Sequence, residues 1–401
     1  YERFSQKNRH SGLLNYDGVK WQNFSPLSQD PKILEFTNHG LTQAPDQSLW
    51  FSSSYYSAGE AKQYLLWSYL GGEIAQFEAP DQFFQLSVPQ SIENIIWCLK
   101  QTLGAESSDG KIWQFAPYQK QWVEPNLPVG LDFIDHRSIA GHVSQGRVAL
   151  QGDQAGNILF GSAQGLFRYR SGQWEQLHDK EIMRYILTSD SRVFAAIRTT
   201  PREDQEQVMS YRSNAWQSSA GGLKTNFFYE SSDKTIWLSE RGGGGLSNLP
   251  KDKVVFSSFQ GAIASILVTK NNGVWAGIGW WSGKSSTVLH LINGTFTDDP
   301  TFPRHQWSQV IIEDSHSNIW AAGWQTPPSY FDGSKWIQPL DENLAGGVEK
   351  IIEANDGTVW VIGHGIFQYD GQHWQTHFPK QEGVFIDILE DSSGRIWVTR
   401  D

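Results

Sequence analysis

Apolar positions along this chain come in short bursts separated by tight polar turns. Val310-Ile311-Ile312, Val359-Trp360-Val361-Ile362 and Ile396-Trp397-Val398 are such bursts, and Asn355-Asp356-Gly357 and Asp332-Gly333 are such turns. Short β-branched and aromatic runs bounded by Gly, Asn, Asp and Ser predict strands joined by hairpins. The bursts also repeat. A turn followed by an apolar residue and Trp occurs in Asp356-Gly357-Thr358-Val359-Trp360 and again in Ser393-Gly394-Arg395-Ile396-Trp397. A strand ending in Tyr, followed by a Gly-containing turn and a Trp five residues on, occurs in Tyr169-Arg170-Ser171-Gly172-Gln173-Trp174 and in Tyr369-Asp370-Gly371-Gln372-His373-Trp374.

Counting these halves sets the architecture. The first half is anchored at Trp50, Trp97, Phe160, Phe194, Trp237, Trp275, Trp320, Trp360 and Trp397. The second half closes at Trp21, Phe77, Trp122, Trp174, Trp216, Phe256, Phe296, Trp336 and Trp374. A mean spacing of about 43 residues is the size of a four-stranded propeller blade. The expectation is an all-β, single β-propeller domain over 1–401, built from four-stranded antiparallel blades. Nine blades are expected, or eight if the unit around Phe194 is a false match. Within one unit, 310–313 reads as the inner strand, 318–322 as the second, 329–331 as the third and 335–337 as the fourth. The chain opens on a second half and ends on a first half. Residues 384–400 are therefore expected to join 11–24 in a shared blade, which removes two exposed strand edges.

Composition narrows the function classes. The 38 Gly and 19 Trp in 401 residues suit short strands and tight turns. A net charge of −11 argues against nucleic acid, whose phosphates need a cationic footprint. No apolar run reaches the roughly 20 residues of a membrane helix, so direct insertion of this segment is not expected. The one cysteine, Cys98, allows no disulfide within the chain and reads as an inert core thiol. No cofactor and no metal are expected. His136 and His142 beside Asp132 and Asp135 match no strong zinc spacing.

The repeats resemble the two-component regulator propeller family, whose pattern is Asp-x-x-Gly-x-Ile-Trp-Val-Gly-Thr, then Gly-Leu-x-Arg-Tyr and a later Trp. The matching residues are Gly156, Asn157, Ile158, Gly161, Gly165, Leu166, Arg168 and Tyr169, then Asp391, Gly394, Ile396, Trp397, Val398 and Thr399. The resemblance covers nearly the whole chain. It implies the extracytoplasmic (periplasmic or secreted) sensing part of a two-component-type signalling protein, if the chain is a portion of one. The turns before Ile-Trp also look like the structural Asp-box turns of sialidases.

The repeat separates packing residues from candidate site residues. Thirteen of the Trp are anchors or closers and read as wedge packing between blades. Trp280, Trp281 and Trp324 fall instead just after second strands, where Tyr55, Tyr56, Arg198, Arg241 and His364 occupy equivalent positions in other units. His305 and Trp307 fall in a connection between blades. Second-to-third-strand loops and inter-blade connections share one face of a propeller. Aromatic platforms with Arg and His donors there suit a sugar or another polar organic ligand. The leading reading is a non-enzymatic binding or sensor module. One alternative is a propeller lyase or hydrolase using His364, His305, His136 and Glu240 at the ring centre. The other is a scaffold for a protein partner.

Overall fold

The computed structural model describes residues 12–24, 41–44, 46–55, 63–78, 90–92, 95–100, 111–116, 119–123, 151–152, 157–162, 164–199, 206–223, 225–231, 233–240, 246–249, 262–279, 288–292, 295–298, 302, 308–323, 326–338, 347–379 and 384–400. All regular elements in them are strands. β1 (Gly12–Tyr16) and β2 (Trp21–Asn23) form a hairpin. β3 (Thr42–Gln43), β4 (Leu49–Tyr55), β5 (Gln63–Leu70) and β6 (Glu73–Glu78) form a sheet in chain order. So do β7 (Gln90–Ile92), β8 (Ile95–Lys100), β9 (Lys111–Ala116) and β10 (Gln121–Val123). The third is β11 (Gln151–Gly152), β12 (Ile158–Ser162), β13 (Gly165–Arg170) and β14 (Gln173–His178). The fourth is β15 (Ile182–Leu187), β16 (Val193–Arg198), β17 (Glu206–Arg212) and β18 (Ala215–Leu223). β19 (Thr225–Glu230), β20 (Ile236–Glu240) and β21 (Leu246–Leu249) form a three-stranded sheet among the described residues. β22 (Ala262–Val268), β23 (Val274–Gly279), β24 (Val288–Ile292) and β25 (Thr295–Asp298) form the next. β26 (Val310–Glu313), β27 (Ile319–Gly323), β28 (Thr326–Phe331) and β29 (Trp336–Ile337) follow. The last are β30 (Val348–Glu353), β31 (Val359–Gly363), β32 (Ile366–Tyr369) and β33 (Trp374–Phe378), then β34 (Phe385–Glu390) and β35 (Ile396–Arg400).

This is the four-stranded antiparallel repeat expected of a propeller. The unit at 310–337 falls within a residue or two of its sequence reading, except that β28 begins at Thr326. Phe194 sits 4% exposed inside a full four-stranded sheet, so that weak match marks a real unit. The chain divides into two compact units. One holds Tyr1–Glu106, Gly110–Pro125 and Leu340–Asp401, and the other holds Ser107–Asp109 and Asn126–Pro339.

In the first unit the two chain ends meet. β1 pairs antiparallel with β35 from Gly12↔Arg400 to Tyr16↔Ile396, giving a sheet ordered β2-β1-β35-β34. Alternating residues of its strands face opposite neighbours. Leu13 and Trp397 pack with Leu49, Phe51, Leu65 and Trp67 on β4 and β5. Leu14, Ile396 and Val398 pack with Trp360, Ile362 and Ile366 on β31 and β32. Trp67, outside the anchor series, is thus core, and its ring stacks on Phe51 at 6.1 Å. In the second unit Phe302 is 4% exposed and meets Trp336 edge-on at 4.7 Å.

Among the described residues, one turn joins first and second strands seven times. In it the first residue's N–H donates to the fifth residue's carbonyl, and the fourth residue's N–H donates back to the first carbonyl. Turns beginning at Ala44, Thr188, Ser231, Thr269, Asp314, Ala354 and Asp391 share this pattern. The fourth residue has positive φ in every copy: Gln47, Ser191, Lys234, Asn272 and Ser317 adopt it as well as Gly357 and Gly394.

The same turn anchors the tryptophan in two ways. Asp314 and Asp391, first in their turns, accept the indole N–H of Trp320 and Trp397 directly at 2.9 and 2.8 Å. Elsewhere Asp stands third and acts through a hydroxyl. Trp360 donates to Thr358, which donates to Asp356, and Trp50 donates to Ser48, which donates to Asp46. A second device ties neighbouring sheets. The last residue of an inner strand accepts a backbone N–H from the preceding sheet's turn: Glu230 from Ser189, Glu313 from Lys270 and Glu390 from Asn355. Gln43 does the same for Ser392 of the terminal sheet.

Candidate functional site

The turn that holds Trp50, Trp320, Trp360 and Trp397 lies at one end of the sheets, and its polar side chains are spent on architecture. The opposite end holds the leading residues of the inner strands and the joins between second and third strands. Two predicted site residues are described there with their side chains. Arg198 ends β16 and donates its backbone N–H to the Glu181 carbonyl, just before the inner strand β15. Its guanidinium holds the Glu181 carboxylate at 2.9 and 3.1 Å, with both side chains about a third exposed (32% and 28%). His364, half-buried between β31 and β32, donates its backbone N–H to the Gly347 carbonyl at 3.1 Å, just before β30. In both sheets the join therefore lies beside the start of its own inner strand. Tyr55 is the last residue of β4. Tyr56, Arg241, Trp280, Trp281, His305, Trp307 and Trp324 lie outside the described residues, as do Asp132, Asp135, His136 and His142.

The leading ends of the inner strands share a feature invisible in the sequence. Five of them carry a register shift near their start: Ile182/Arg184, Thr225/Phe227, Ile263/Ser265, Val348/Lys350 and Phe385/Asp387. A bulge leaves one residue unpaired and re-aims its side chain. In β30 that residue is Glu349. Solvent reaches its side chain, which has no hydrogen-bond or ion-pair partner among the described residues. Burial by the surrounding protein nevertheless pushes its carboxyl pKa above the ordinary glutamate value. The next residue, Lys350, pairs with Asp387 of β34 at 2.6 Å, and Asp387 also accepts the backbone N–H of Leu41. Glu349, Lys350 and Asp387 were absent from the sequence-based candidates because nothing in Val348-Glu349-Lys350-Ile351-Ile352-Glu353 signals a bulge. Among the described residues, no group of three His, Cys, Asp or Glu side chains could hold a metal ion, and no helix is long and apolar enough to cross a membrane.

No protein-family model matches the chain, and no curated protein sequence is similar to it. Its fold is similar to those of solved structures. A eukaryotic initiation factor aligns over 92% of this chain and 99% of its own, at 10% identity and a TM-score of 0.52. The extracellular domain of a hybrid two-component system from B. thetaiotaomicron aligns over 90% of this chain at 13% identity and a TM-score of 0.38. The chain spans 62% of that domain's length. A streptogramin B lyase aligns over 91% of this chain and 94% of its own, at 14% identity and a TM-score of 0.41. At such identities the likeness concerns the fold and leaves the chemistry to the residues above.

Proposed function

We propose that this chain is a non-enzymatic binding or sensor propeller that takes a sugar or another polar organic molecule at the leading ends of its inner strands. The reading includes a place outside the cytoplasm, as the sensing part of a two-component-type signalling protein. One contrast supports it most. At the turn end, Asp, Ser and Thr side chains bond back into their own turns and tryptophans. At the leading end, Glu349 is exposed and unpartnered among the described residues, and the join after β31 places His364 beside the start of β30, the strand that carries it. By sequence, Trp280, Trp281 and Trp324 belong to the same class of join, and aromatic side chains of this kind stack on a sugar ring.

A thermal-shift screen of neutral and charged saccharides and polar organic acids identifies ligands, and calorimetry then measures affinity. The Trp281→Ala/Trp324→Ala double variant is expected to weaken the best of these ligands at least about tenfold, equivalent to about 1.4 kcal/mol. Unchanged affinity for every ligand found sinks the aromatic-platform reading. Binding confined to a protein partner replaces it with the scaffold reading.

A further inference from the structure

One histidine is built into the seam that joins the chain ends. His377, near the end of β33, lies 4.9 Å from the Tyr16 ring of β1 and 5.6 Å from the Trp21 ring of β2. On its own sheet it stacks on Trp360 at 4.9 Å with the planes 15° apart. Its Nε2 meets the Gln368 side-chain oxygen at 2.9 Å. Tyr16 and Trp21 themselves touch at 5.2 Å, and Trp21 meets Phe378 edge-on. The imidazole thus fills a cage whose far wall is the N-terminal hairpin.

We propose that His377 makes this seam an acid-released clasp: protonating the caged ring loosens the β1–β2 hairpin from β33. The groups facing the ring are Tyr16 from β1, Trp21 from β2, Trp360 from β31 and Gln368 from β32. The ring therefore faces three aromatic side chains and one neutral amide. No carboxylate is paired with His377 among the described residues, and burial alone lowers its pKa, to about 4. His178 provides the contrast. It packs edge-on against Trp216 of the next sheet, and burial lowers its pKa too, but Asp179 stands 3.8 Å away to support the charged form. A stacked indole face attracts a cation, which moves the His377 transition toward the ordinary histidine value without abolishing it.

The sign follows from linkage. The released ring titrates near the ordinary value of about 6.5, so the closed seam binds fewer protons than the open one below that pH. Closure is strongest above pH 6.5 and weakens down to about pH 4, where the caged ring itself protonates. Hydrogen exchange of the whole chain at pH 7.0 and pH 4.5, corrected for intrinsic rates, reads this directly. Peptides covering β1 and β2 are expected to lose roughly fifty- to a hundredfold of their protection relative to β26 and β27. His377→Phe keeps an aromatic ring without a titratable nitrogen and should flatten that difference. Equal loss in both proteins, or no loss in the wild type, overturns the clasp. If His377→Phe does not fold, NMR titration of the wild-type ring decides. A transition well below 6.5 that moves with Tyr16 and Trp21 signals supports the clasp, and one at 6.5 or without such coupling overturns it.

Discussion

Asp391→Ala is expected to lower stability by about 3–5 kcal/mol, a large share of what a domain possesses. The carboxylate is 1% exposed and has four donors. Oδ1 accepts the backbone N–H groups of Ser393 and Arg395, and Oδ2 accepts the Trp397 indole and the Arg395 guanidinium. Burial alone would raise its pKa, but the Trp397 and backbone donors and the Arg395 charge outweigh it and leave the value below that of ordinary aspartate. Its stabilisation is therefore present above the ordinary aspartate pKa and is lost as pH falls through the lowered folded value. Urea unfolding monitored by tryptophan fluorescence measures the effect. The Asp356→Ala variant should lose less, because Asp356 is exposed and reaches Trp360 only through Thr358.

Deleting residues 1–24 should be more damaging still. It strips β1 and β2 from the terminal sheet, bares the edge of β35 and uncovers both flanking cores. Leu13 leaves the cluster around Trp397 and Trp67, and Leu14, Tyr16 and Trp21 leave the one around Trp360 and Phe385. At about 2 kcal/mol per large apolar side chain, these four account for about 8 kcal/mol before any strand hydrogen bonds are counted. The truncated chain is expected to aggregate through its open edge. A synthetic peptide spanning 11–24, added during refolding, should restore soluble protein as judged by size-exclusion chromatography. A soluble, cooperatively unfolding truncated monomer would show that the hairpin contributes little.

Much of this architecture was legible because the repeat is written in its largest side chains. Trp320, Trp360 and Trp397 are at most 1% exposed, and their spacing gives the sheets directly. The half-repeats at the two ends pointed to the pairing of β1 with β35 for the same reason. The turns were less legible. Five copies place Gln, Ser, Lys or Asn in the left-handed conformation, so glycine marks only two of the seven. The Glu230, Glu313 and Glu390 ties between sheets recur in sequence just before each turn, but a lone glutamate there looks like any solvated residue. Trp67 and Phe302 lie outside the anchor and closer series, yet both are core, because a wedge can be filled from a third strand or a connection as well as from an anchor.

The candidate site was legible only as topology. Arg198 and His364 each lie where a second strand gives way to a third, beside the start of the inner strand of the same sheet. The Arg198–Glu181 pair and the bulge that displays Glu349 depend on register, which side-chain periodicity does not encode where a strand slips by one residue.

The shared terminal sheet is the centre of this account, and a disulfide across it is the most direct measurement. Gly12 and Arg400 are opposed partners at the open end of the β1–β35 ladder. Opposed residues in an antiparallel pair stand about 4.5–5.5 Å apart, within reach of an unstrained disulfide. In a Cys98→Ala background, the Gly12→Cys/Arg400→Cys chain should oxidise to a circular monomer that migrates faster on a non-reducing gel. Closing so long a loop should add about 4–5 kcal/mol of stability. Two thiols that remain fully reactive in the folded, oxidant-treated protein would contradict the pairing.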